Sequence, residues 1–108
     1  DYPVRKFLEI PAAGCTLISV PSTSAALLGF RNLENFITFP IDSLSEIVGV
    51  FDCFNLEELQ RIASAGQSLV LDTHSSKPRS LIVERAVEKI LNKNFLGSYW
   101  NNGTHYFR

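Results

Sequence analysis

Apolar positions fall into short blocks along the chain, and their spacing predicts helices around two strands. Val4, Phe7, Leu8 and Ile10–Pro11 recur close to helical spacing over residues 3–13. Pro3 suits a first helical turn, where its missing N–H is no loss, whereas Pro11 should bend or end the helix. Gly14 supplies the permissive backbone of a helix end, and the apolar run Cys15–Val20, closed by Pro21, predicts a buried strand. Pro21-Ser22-Thr23-Ser24 is turn and helix-cap chemistry, leading into a short helical segment over Ala25–Phe30 that ends near Gly29. Phe36–Phe39 predicts a second strand, stopped by Pro40.

Three longer helices follow. Asp42 or Ser43 caps one over Leu44–Phe51, with Ile47, Val48 and Phe51 on its inner face. Asn55 caps the next, and Glu57 and Glu58 in its first turn complement the helix dipole. Its apolar stripe is Leu56, Leu59, Ile62, Ala63, Leu69 and Val70, with Gly66 a weak point or break. Ser75–Arg79 reads as a loop around Pro78, and a last helix runs from about Arg79 to Lys93 with Leu81, Ile82, Val83, Ala86, Val87, Ile90 and Leu91 inside. Beyond Phe95 the rings of Tyr99, Trp100, Tyr106 and Phe107 suggest an aromatic tail, docked by its rings or partly irregular.

A chain of 108 residues, 45% apolar and 19% charged, is globular material for a single core. Its net charge of −1 gives no electrostatic case for a nucleic-acid partner. No apolar run reaches the roughly 18 residues of a membrane span. Cys15 and Cys53 sit in apolar surroundings at wide spacing, which predicts two buried thiols rather than a disulfide or metal pair. These features describe a soluble α/β domain of a reducing, cytoplasmic compartment. The chain has no Met and begins at Asp1. Two parallel strands cannot hide both faces and edges of a sheet, so further strands are expected upstream, in the rest of the same polypeptide or a second chain.

The run Lys6-Phe7-Leu8-Glu9-Ile10-Pro11-Ala12-Ala13-Gly14 places one carboxylate on a helix that feeds a strand. It resembles a signature in the sugar-donor half of retaining glycosyltransferases of the two-Rossmann-domain (GT-B) type. The nearest likeness is to the group-1-like family that includes the spore-maturation glycosyltransferase-like proteins. Lys6, Glu9, Ile10, Pro11, Ala12 and Gly14 fall into the family's spacing, and the likeness extends weakly over residues 5–92. The resemblance implies an α/β fold: the C-terminal part of a Rossmann-like domain, a short parallel sheet with flanking helices over residues 1–95, and the tail at 96–108. It implies binding of a nucleotide-sugar donor and transfer of the sugar to an acceptor, the fragment alone being inactive. No cofactor is implied beyond the donor itself, and no metal.

The resemblance also assigns roles. Glu9 would accept hydrogen bonds from adjacent ribose hydroxyls. Lys6 would offset the diphosphate charge, and Asp1 occupies the place of an acid that meets the sugar. Ser22 and Thr23 follow the carboxyl end of a strand, where open α/β sheets bind ligands, and would hold phosphate or sugar oxygens, unless they only cap the helix. His74 and Arg79 fit the family's order loosely, with a structural role tying loop to helix. Two departures stand out: Cys15-Thr16 replaces a small-Pro pair, and an acid is missing around Ala25–Leu28. Asn102-Gly103-Thr104 is a formal glycosylation sequon, meaningful only in a secreted chain. The alternative to an enzyme is a non-catalytic α/β module that binds protein through its helical layer and aromatic tail.

Overall fold

A computed structural model of the chain describes residues 5–40, 49 and 52–108. Asp1 lies outside the described residues, as does all but Gly49 of the expected helix Leu44–Phe51. The order is α1 (Lys6–Ala12), β1 (Ile18–Ser19), α2 (Thr23–Leu27), β2 (Ile37–Thr38), α3 (Leu56–Leu69), a π-turn (Val70–His74), α4 (Ser76–Leu91), β3 (Ser98–Asn101) and β4 (Thr104–Phe107).

Pro11 is accommodated inside α1, one residue from its end, and is buried. Gly14 at φ +86° then reverses the chain. Its N–H donates to the Pro11 carbonyl at 2.9 Å and the Cys15 N–H to the Ile10 carbonyl at 3.2 Å, the paired bonds of a Schellman end. The next residues reach β1, shorter than the expected Cys15–Val20 strand. It pairs parallel with β2, Ile18 opposite Ile37 and Ser19 opposite Thr38. Ser22 caps α2 by accepting from the Ala25 N–H at 3.2 Å. Leu17, Ala25, Phe30, Phe36 and Val70 form the buried cluster around which Phe7, Leu8 and Ile10 of α1 pack. Phe30 meets Phe7 and Phe36 at ring centroid distances of 5.9 and 5.5 Å.

Asn55 caps α3 as expected, accepting from the Glu58 N–H at 2.8 Å. Gly66 does not break the helix. It is buried where a Cβ would stand 2.6 Å from the Asn35 carbonyl oxygen, so its place in the sequence reflects close approach and not weakness. Gln67 ties α3 to α1 by donating to the Ala12 carbonyl at 3.1 Å.

The C-terminal third differs most from expectation. α4 starts at Ser76 and not near Arg79, because Pro78 falls in the first turn, where a backbone N–H has no intrahelical partner to lose. None of its residues is buried: Leu81, Val83, Val87, Ile90 and Leu91 are exposed, contrary to the expected inner face. The aromatic tail is docked by its rings, but as a regular antiparallel hairpin, β3 on β4, with Tyr99 opposite Tyr106 and Trp100 opposite His105. Asn102 (φ +50°) and Gly103 (φ +81°) make its two-residue turn. Thus two small sheets, one parallel and one antiparallel, lie among helices in a mixed α/β arrangement.

Candidate functional site

α1 carries Lys6 and Glu9, both exposed. Glu9 Oε1 pairs with Arg5 Nε at 2.8 Å, one turn back along the helix. An exposed pair of this kind is weak and readily exchanged for a ligand. Arg5, Leu8, Glu9 and Ala12 form one wall of an open depression of about 430 Å3, and Val70, Leu71, His74, Ser75 and Ser76 form the other. Ser22 and Thr23 line a separate depression with Pro21 and Ala26. The residues named from the sequence are thus divided between two surfaces, and Lys6 lines neither.

His74 is the buried polar residue of the described chain. Its Nε2 lies 2.8 Å from the Leu28 carbonyl, and Arg79 Nη2 lies 2.9 Å from its Nδ1. The carbonyl can only accept and the guanidinium can only donate, so the ring is the neutral tautomer with its proton on Nε2. Burial pushes its pKa below the ordinary histidine value; the Leu28 carbonyl pulls the other way, and the Arg79 charge adds to the lowering. Burial also lowers Arg79. The Arg79 guanidinium lies 4.3 Å from the Trp100 ring centroid, and the imidazole lies 5.1 Å from it. His74 therefore ties the π-turn to α4, where a loop was expected before the helix, and also joins the end of α2 to the hairpin. The Leu28 and Trp100 contacts carry no local sequence signal.

The hairpin docks through its turn as well. Gly103 N–H donates to the Leu27 carbonyl at 2.9 Å, and a Cβ on Gly29 would stand 2.9 Å from Gly103 Cα. Arg31 Nε donates to Asn102 Oδ1 at 3.0 Å. Between α4 and this hairpin lies a third depression, a groove lined in part by Asp72, Arg85, Trp100 and Thr104. Sequence reasoning missed it because it took the tail for an aromatic annex. Asn102-Gly103, the strongest short signal for a two-residue hairpin, would have revealed the strands.

Cys15 and Cys53 are both exposed, correcting the expectation of buried thiols. The strand after Gly14 begins only at Ile18, so Cys15 falls in the turn. Among the described residues no group of three or more His, Cys, Asp or Glu is placed to hold a metal ion, and no helix is long and apolar enough to cross a membrane. Comparison with known proteins finds no matching family model, curated protein or solved structure.

Proposed function

We propose that this chain is the donor-binding part of a cytoplasmic glycosyltransferase of the two-Rossmann-domain type, similar to the spore-maturation glycosyltransferase-like family. The observation that carries the reading is the setting of Glu9. Its carboxylate lies on the exposed side of a helix that turns at Gly14 into a strand of a parallel pair, beside a depression of about 430 Å3. In a Rossmann-like domain that placement suits a ribose, whose adjacent hydroxyls both donate to one carboxylate. Leu8 and Ala12 offer apolar surface at the same depression. Arg5 would be exchanged for the ligand.

In this reading Lys6 favours the diphosphate, Asp1 meets the sugar, and Ser22, beside its capping role, and Thr23 hold donor oxygens. The donor is the substrate and no further cofactor takes part. The sugar passes from the nucleoside diphosphate to an acceptor hydroxyl once the rest of the polypeptide or a second chain completes the site. Calorimetry with nucleosides and nucleoside diphosphates tests it. Glu9→Ala should weaken both ligand types about ten- to a hundredfold, the worth of a charge-assisted hydrogen bond. Lys6→Ala should weaken diphosphates alone. Unchanged affinity in the Glu9 variant, with the wild type binding, overturns the assignment.

One observation favours a second reading. α4 leaves Val83, Val87, Ile90 and Leu91 on one exposed stripe, at i, i+4, i+7 and i+8. A helix with such a face is suited to packing against another protein, as a non-catalytic interaction or assembly module would.

A further inference from the structure

The groove between α4 and the hairpin has a volume of about 300 Å3, near the lower end of ligand pockets, which span roughly 300–1,000 Å3. Ile82, Trp100 and Phe107 give it apolar surface, and Asp72, Arg85 and Thr104 bring polar groups to it. Asp72 and Arg85 are both exposed, and the ion pairs among the described residues lie elsewhere, Arg5 with Glu9 and Arg31 with Glu34. Arg79 and His74 pack on Trp100 without lining the groove. Trp100 itself lines the groove, as does His105, which packs edge-on against the same ring with centroids 5.2 Å apart.

The charges select the ligand. An anion would be drawn to Arg85 and repelled by Asp72, and a cation the reverse. A neutral molecule with adjacent hydroxyls satisfies both, because a carboxylate accepts two O–H bonds, a guanidinium donates to two oxygens, and the Thr104 hydroxyl does either. Such a molecule must also present apolar C–H surface to Trp100, Phe107 and Ile82. A sugar ring has hydroxyls at its rim and C–H groups on its faces. We propose that this groove binds a neutral pyranose, free or at the end of a glycan. None of Lys6, Glu9, Ser22 or Thr23 lines it, so the proposal does not depend on the donor-site reading.

Trp100 is the single Trp of the chain, which makes intrinsic fluorescence a reporter at the groove. The full chain is titrated with methyl glucoside, methyl mannoside and N-acetylglucosamine, with sorbitol as an open-chain control and sodium phosphate as an anion control. At least one pyranose should give a saturable change with a dissociation constant on the order of millimolar, and the controls should give none. Asp72→Asn and Arg85→Ala should each weaken it about tenfold, with far-UV circular dichroism unchanged because both side chains are exposed. Three results overturn the proposal: no saturable response to any of the three pyranoses, an equal response to sorbitol or phosphate, or unaltered affinity in both variants.

Discussion

His74 is where a single residue does most to hold separate parts together. Its ring is neutral, buried, hydrogen-bonded on both nitrogens and packed on Trp100. Burial holds its folded pKa below the unfolded value of 6.5. Above that value both states leave the ring neutral, and its contribution is fully present. As the pH falls through 6.5, the unfolded chain takes up a proton first, and stability drops until the folded ring protonates as well. Protonation also puts a donor on Nδ1, where Arg79 already donates. His105, lowered by burial and then by Arg79, acts in the same direction. Urea midpoints should therefore hold level above neutral pH and decline below it. His74→Asn should be less stable at neutral pH but show a shallower decline, His105 supplying what remains. An equal slope in the variant would show that the imidazole is not the group responsible.

At the level of elements, α3 shows how packing outweighs propensity. Replacing a helix-interior Gly by Ala ordinarily gains up to about 1 kcal/mol. At Gly66 the added methyl would stand 2.6 Å from the Asn35 carbonyl oxygen, a backbone atom that no side-chain rotation can move away. Separating α3 from the β2 approach should cost about 1–3 kcal/mol, as overpacking generally does. Gly66→Ala is therefore expected to destabilise the chain in urea denaturation even as it raises local helix propensity. An increase in stability would mean that α3 and the Asn35 turn separate at little cost. The π-turn after α3 has a comparable role: it places His74 under the end of α2 and lets α4 restart at Ser76.

Across the whole molecule the chain is elongated, with extents of 55 × 26 × 18 Å and a Cα radius of gyration of 16.3 Å, against about 13 Å for a compact chain of this length. α4 leaves its Val83–Leu91 stripe to solvent. Water is a poor neighbour for an apolar stripe, so the isolated chain should self-associate. Light scattering should show an average mass above the monomer that rises with concentration. Val87→Glu combined with Ile90→Glu should return it to the monomer without loss of helix, since both positions are exposed. A wild type that stays monomeric at every concentration would remove the support for a protein-binding face on α4.

The sequence by itself determined features whose physics spans a few residues. The Asn55 cap, a cap within Ser22–Ser24 and the stops at Gly14 and Gly29 are set by hydrogen bonds and sterics within about one turn. The apolar runs located the two strands, although the pairing of Ile18 with Ile37 is itself a long-range contact. The π-turn and the early start of α4 are local too, yet they went unread because Pro78 looked like a loop residue and not a first-turn residue. Only the tertiary structure decided what each face meets. Periodicity marks the apolar side of α4 but says nothing of whether a partner covers it. The Gly66 contact with Asn35, the Gly29 contact with Gly103 and the bond from His74 to Leu28 join residues far apart in the chain, and no local pattern encodes such meetings. They depend on how elements dock once burial of apolar surface has brought them together, and the groove beside Trp100 exists only as a result of that docking.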